Sequence, residues 1–443
     1  MTRRRLILLA VVASLVIGGA AYAGTRTAWF QCRYGTDLDT GPGRPYVTGR
    51  SAELVLPDGL DTLAELDGVG DLVGAMSTEV SLAVLDGDGT ILLSDEPYFS
   101  EPNTFRVLAF DPARPDAGWN RGVVGQDRLV GAVDGRIVTL GAAAGNVYRL
   151  RVLDGATGSI VRCVDLPRAE DAGIEQTAST LLPDGAVAVA VPTKDDDGQE
   201  VTVIDVLADG EPRWQASVGP RNVVATSVGA SLIFGRYHSW EALAGSDLGQ
   251  VDPDDPTTAN VTALDSESGE TRWSWPTDGS RSAAAIVGVA DGEVPLVVLR
   301  SVTQTSAADD LAYELLALDA RTGEQVWRVA GVYDARVLGD VVLVDLGMHA
   351  GGVDVRTGEM LWNEPETTDD PGGRLDVNLA MPWGPVALSP TAGDGLVVVD
   401  PATGERLDAV SVPVLFEATV TATAEYLVVM DPESGVLAIF GRE

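Results

Sequence analysis

The 443 residues carry 66 acidic side chains against 30 basic ones, a formal charge of −36, and Lys194 is the single lysine. This balance argues against nucleic acid as a ligand, because phosphate contacts need clustered Lys and Arg; 45% hydrophobic against 22% charged residues argues against wholesale disorder. Fifty glycines, 24 prolines and only 6% aromatics suit many strands joined by tight turns rather than long helices.

In chain order, Arg3, Arg4 and Arg5 come first, followed by an uncharged run from Leu6 to Ala23. As a helix that run nearly spans the ~30 Å core of a bilayer. The Arg cluster is expected to stay in the cytoplasm while the rest crosses. Ala21-Tyr22-Ala23 has the small-x-small form of a signal-peptidase site. Residues 1–23 therefore read as a signal anchor or a cleaved signal peptide, 24–50 as a linker and 51–443 as one folded domain. The expected location is the cytoplasmic membrane, single-pass, with the domain extracytoplasmic; the alternative is secretion after cleavage following Ala23. Cys32 and Cys163 are the only cysteines, and both fall on the outer side. An oxidising compartment permits a disulfide between them, which would pin the N-terminal segment to an early repeat.

Beyond the linker the chain repeats itself: a strand, an Asp-x-x-Thr/Ser-Gly turn, and a second strand with a Trp eight residues after the Asp. The clearest copies start their turns at Asp265, Asp319 and Asp354 and reach Trp273, Trp327 and Trp362. Asp111 keeps the spacing to Trp119 with a Pro-rich turn, and Asp205 is followed by Gly210 and Trp214, one residue late. Asp154 and Asp400 keep Thr and Gly but have Arg162 and Asp408 at the Trp position. These anchors recur on average about every 48 residues, within reach of the ~40–50 of a propeller blade. Asp and Thr side chains accept backbone N–H bonds within such a hairpin loop, and Gly supplies the positive φ that lets pairing resume. The five tryptophans, Trp119, Trp214, Trp273, Trp327 and Trp362, offer flat surfaces for packing one repeat on the next.

A second apolar pair with its own short turn, as at Asp134-Gly135, Asp184-Gly185 and Asp291-Gly292, precedes each such hairpin. Two hairpins per repeat make four strands, one propeller blade. After residue 416 only three strands remain before the chain ends; the fourth is expected from Ala52 to Pro57, closing the ring and removing exposed edges. The predicted fold is thus an all-β propeller of about eight four-stranded blades, or seven if the blade at the short step to Asp354 is degenerate. It is closed by an N-terminal strand and preceded by one transmembrane or signal helix.

The Asp-x-x-Thr-Gly-x-x-x-Trp repeats resemble those of the PQQ-like propeller family, shared by quinoprotein alcohol dehydrogenases and a bacterial outer-membrane assembly lipoprotein. The resemblance covers roughly 75 to 441, is strongest from 259 to 363, and implies the fold. Quinoprotein dehydrogenases also carry adjacent cysteines, a calcium site and a catalytic Asp; no adjacent cysteines exist here, and no Asp can be matched to the catalytic one. PQQ with calcium is therefore the alternative cofactor reading, and no cofactor the leading one.

Only His238 and His349 are available, too few for a multi-histidine metal site. No Gly-x-Ser-x-Gly elbow stands near either. The acidic stretches at Asp86 and Asp88, at Asp195 to Asp197, and at Asp252, Asp254 and Asp255 lack EF-hand spacing and read as solvated turns. Two insertions stand out, 237–259 in the fourth repeat and 302–312 in the fifth, and long loops often carry binding. Tyr237, His238 and Trp240 are the candidate binding residues there. The sequence therefore points to a monomeric, non-enzymatic scaffold, attached to the membrane by its N-terminal helix and binding a protein or envelope component. Alternatives are a PQQ-dependent enzyme and a small-molecule sensor.

Overall fold

A computed structural model describes residues 60–66 and 80–442, apart from the connections 96–103, 168–176, 237–247, 251–258, 365–374, 412–418 and some shorter ones. The candidate helix at 1–23, the linker, Cys32 and the run Ala52 to Pro57 lie outside the described residues. Among the described residues there is no helix. The described strands form eight antiparallel sheets, seven of four strands and one of five. In the first seven, chain order is spatial order. The sixth sheet, at the short repeat step, is complete from Asp334–Leu338 to Met360–Asn363.

The first strands of neighbouring sheets touch at every described seam but the one between the sixth and seventh. Contacts run from Val80–Val84 to Asp127–Val133, Ala178–Leu181, Asn222–Val228, Arg281–Ala290 and Asp334–Leu338 in turn. The sixth and seventh sheets share a core that includes Leu338, Leu343, Leu375 and Ala387. Met381–Trp383 touches Thr419–Ala422, which touches Val80–Val84 again. The apolar clusters accordingly lie between sheets, each drawing on the facing sides of two neighbours. The fold is a β-propeller, with first strands nearest the axis.

Antiparallel alternation gives the molecule two ends. Turns between first and second strands and between third and fourth strands share one, here the turn end; connections between second and third strands and from sheet to sheet share the other, the loop end. At the turn end the Asp side chain caps its own hairpin. Asp154 Oδ1 accepts from the Thr157 N–H at 2.8 Å and from its hydroxyl at 2.8 Å, and Asp265 and Asp354 repeat the pattern with Ser268 and Thr357. The turn glycines Gly158, Gly269, Gly323, Gly358 and Gly404 all have φ between 64° and 76°, a region open to Gly at little cost.

Each of the five tryptophans donates its indole N–H to a carbonyl in the next sheet, that of the residue directly after the turn Asp. Trp119 donates to Gly155 (2.7 Å), Trp214 to Ser266 (3.0 Å), Trp273 to Ala320 (2.9 Å), Trp327 to Val355 (2.9 Å) and Trp362 to Pro401 (2.7 Å). The ring lies over the turn glycine of that same sheet, so close that a Cβ there would stand 2.5–2.8 Å from the nearest ring atom. The motif is thus a two-part joint, its Trp in one sheet and its Asp-x-x-Thr-Gly in the next. The second sheet, with Arg162 at the Trp position, uses an ion pair with Glu211 of the third instead.

Three expectations need correction. The outer strand of the last sheet is Leu60–Leu66, paired from Leu60↔Arg442 to Leu66↔Leu437, rather than Ala52 to Pro57. Pro57 cannot donate to a ladder, whereas the stretch from Leu60 has neither Pro nor Gly. In the third sheet Asp205 lies within Glu200–Ala208 rather than at its end, and pairing with the next strand runs on to Ala208↔Glu211. Away from a turn, burial pushes the Asp205 carboxyl up, against a bond from Gln215. In the fifth sheet both ends of 302–312 are strand: pairing continues to Gln304↔Leu311, and 305–310 lie outside the described residues.

Asp265 makes the turn end acid-sensitive. Its bond from Arg272, reinforced by those of Ser268 and Glu267, lowers the carboxyl from 3.8 to about 2. A depressed carboxylate contributes stability that is present above its ordinary range and lost as pH falls towards the folded value. The urea midpoint of the native chain is therefore expected to fall between pH 4 and about 2 more steeply than that of Asp265→Asn, whose stability is already lower at pH 7. Parallel profiles for the two would contradict this role.

Candidate functional site

The loop end of the fifth sheet is where the repeat rule is broken. Between the second and third strands of the fourth sheet, Ser231–Arg236 and Val261–Asp265, the chain makes its longest excursion within a sheet. Gly249–Gln250 leaves its own sheet and pairs with the first strand of the fifth, Gly249↔Ser282 and Gln250↔Arg281. This fifth strand lies on the first-strand edge of its sheet, at the start of Arg281–Ala290.

Side chains fasten the excursion. Leu248 is buried with Ala283 and Val302, against Leu311 and Tyr313. Arg281 donates to the Leu248 carbonyl at 3.0 Å and to Gln304 Oε1 at 3.0 Å. The returning chain is held at Asn260, fully buried, whose Nδ2 donates to Ser282 Oγ at 2.8 Å and whose N–H donates to the Trp275 carbonyl at 2.9 Å. Buried polar groups bonded in this way resist displacement, because removing one partner strands the other.

From Leu248 the surface continues to Tyr313, whose ring meets Tyr333 at a centroid distance of 4.8 Å and an interplanar angle of 33°. Tyr333 lies in the connection to the sixth sheet and is 45% exposed. Its N–H donates to the Asp345 carbonyl at 2.8 Å, and Gly331 N–H donates to the Tyr313 carbonyl at 2.7 Å. Gly347, at φ +87°, lets the ring approach to where a Cβ would be 3.1 Å away. Beneath this surface Arg300 and Asp334, both largely buried, pair across sheets five and six at 3.5 Å. Leu379, 55% exposed, follows in the connection to the seventh sheet. A rigidly backed aromatic pair with an exposed edge is the kind of feature that anchors protein interfaces.

This geometry divides the residues that the sequence singles out. Tyr237, His238 and Trp240 belong to the same excursion but lie outside the described residues. Tyr313 and Tyr333 carry the described surface, with the buried Leu248 packed against Tyr313, and no sequence motif marks them. His349 closes the Leu346 turn through its carbonyl (2.9 Å). Cys163 is half-buried on the outer strand of the second sheet. Among the described residues no three His, Cys, Asp or Glu side chains converge as a metal site, and the acidic stretches at 86–88, 195–197 and 252–255 lie outside them.

The described residues thus form a β-propeller. Residues 257–436 match the family model described as outer membrane protein assembly factor BamB. Among solved structures, the Dos1 propeller is similar at 12% identity over 87% of this chain and 97% of that one, with a TM-score of 0.52. The computationally designed Ika8 protein is similar at 13% identity over 83% and 97%, with a TM-score of 0.50. BamB from Moraxella catarrhalis matches at 14% identity over 86% and 99%, with a TM-score of 0.47. No curated protein matches the chain in sequence.

Proposed function

We propose that the chain is an exported, membrane-tethered, non-enzymatic scaffold that binds a protein or envelope component through the loop end of its propeller. The observation that carries this reading is the Tyr313–Tyr333 pair at the loop end, where a half-buried Tyr313, packed against the buried Leu248 of the long connection, meets the exposed ring of Tyr333. The family model over 257–436 is described as an assembly factor, which supports a role in holding proteins rather than in turning over substrate. In this reading the eight sheets are eight blades of one monomeric ring, closed by Leu60–Leu66 of the N-terminal part. Residues 1–23 hold the ring at the cytoplasmic membrane, or release it if cleaved after Ala23, and Cys32 bonds to Cys163.

PQQ-like repeats favour one second reading, a PQQ- and calcium-dependent enzyme. The two readings separate in one titration of the full chain with PQQ plus Ca²⁺, followed by tryptophan fluorescence and thermal unfolding. No saturable response is expected. Saturable micromolar binding with a raised melting temperature would displace the scaffold reading.

A further inference from the structure

We propose that a second binding site lies at the turn end: a cavity at the seam of the fifth and sixth sheets that receives a basic side chain, lysine or arginine, of a partner protein. It goes beyond the loop-end reading and stands on separate residues at the opposite end of the ring.

The cavity is built by an enlarged turn. Pairing of the first two strands of the fifth sheet stops at Ala290↔Leu296, leaving 291–295 outside the ladder. Val133↔Arg136, Val228↔Ser231 and Leu338↔Val341 leave only two residues each in the second, fourth and sixth sheets. The long turn is held from both sides. Its Pro295 carbonyl accepts the Ala320 N–H of the neighbouring hairpin at 2.9 Å. Arg356, reaching over from the sixth sheet, donates to the carbonyls of Ala290 (3.4 Å), Asp291 and Val294 (3.2 Å). Gly292 makes room for that guanidinium, since a Cβ there would stand 2.8 Å from Nη1. Between this turn, the start of Gln325–Ala330 and Arg356 remains a cavity of about 610 Å³, within the ~300–1,000 Å³ of ligand-binding pockets.

Its lining selects the occupant. Val294 and Val326 line the cavity while 39% and 46% exposed, so both offer apolar surface to an incoming group. Three carboxylates line it against one guanidinium. Asp319 caps its own hairpin and pairs with Arg321, and Arg356 spends its donors on the three carbonyls. Glu293 and Glu324 are exposed, and among the described residues neither carboxylate has a hydrogen-bond or ion-pair partner. Lysine and arginine match both parts of this lining: the methylene stem covers apolar surface and the head stays charged beside carboxylates. A second copy, with a formal charge of −36 and one lysine, is a poor source of that cation. An aliphatic or acidic group would bring no counter-charge to Glu293 and Glu324.

The test titrates the full chain, at about 0.15 M salt, with a short dye-labelled peptide holding one lysine between leucines, read by polarisation. A peptide with glutamine for the lysine, and free spermidine, are titrated alongside. Glu293→Gln combined with Glu324→Gln is compared with Glu267→Gln combined with Glu270→Gln, which removes the same charge from the exposed turn of the fourth sheet. Saturable binding of the lysine peptide alone is expected, weakened about ten-fold by the first pair and less than about two-fold by the second. Val326→Ser is expected to weaken it as well, through the stem. Equal weakening by the two pairs would reduce the site to the diffuse field of an acidic surface and overturn it. Absence of binding by the lysine peptide also overturns it, and binding of spermidine alone would assign the cavity to a free polyamine instead of a protein.

Discussion

Trp327→Ala is expected to destabilise the propeller by about 4 kcal/mol. The indole is 7% exposed and packs with Leu315, Ala317, Val342, Val353 and Val355, side chains of two adjacent sheets. Truncation leaves a cavity at that seam and removes the N–H donated to the Val355 carbonyl. Trp327→Phe isolates the second effect: the ring is largely retained while the carbonyl loses its partner, at a cost of about 1–2 kcal/mol. Arg162→Ala, at the equivalent position of the second sheet, removes only an exposed ion pair with Glu211, worth under about 1 kcal/mol. Urea unfolding at pH 7 orders the three variants, and a Trp327→Ala loss no larger than that of Arg162→Ala would mean the joint is not what holds neighbouring sheets together.

Gly358→Ala should cost nearly as much, about 3 kcal/mol, for two reasons that add. The residue has φ +72°, where a Cβ costs about 1–2 kcal/mol. That Cβ would also lie 2.8–2.9 Å from Trp327 Cγ and Cβ, an overpacking cost of about 1–3 kcal/mol. Gly339→Ala separates the two, since Gly339 has φ +62° with nothing within 4 Å of a new Cβ; only the backbone cost, about 1–2 kcal/mol, applies there. Equal midpoints for the two alanine variants in the same denaturant series would show that the Trp–Gly contact contributes nothing.

The joint is legible in sequence because it is local on both sides: Asp, Thr and Gly shape one hairpin, and strand length sets the Trp eight residues on. Its reciprocal arrangement, Trp in one sheet and Gly in the next, is not legible, since nothing along the chain says which copy a tryptophan faces. Asp205 misleads for a related reason. Its spacing resembles a turn, but Asp205 pairs with Gln215 and the ladder continues past it to Ala208↔Glu211, so strand pairing overrides local turn chemistry. The closing strand falls at the expected place in the ring but comes from residues later in the chain than Pro57. The candidate surface is the least legible part. Gly249–Gln250 has no strand pattern of its own and becomes a strand only by meeting Arg281 and Ser282. Tyr313 and Tyr333 come from a strand and a later connection, and only sheet-to-sheet packing brings them together.

The measurement closest to the central claim is site-specific photo-crosslinking in cells expressing the full chain. A photoreactive amino acid replaces either Tyr333 at the loop end or Val161, 58% exposed on the rim of the second sheet. A discrete protein adduct at 333, absent at 161 and lost when Tyr313 is also replaced by Ala, is the expected result. Adducts at 161 and none at 333 would contradict the loop end as the docking face.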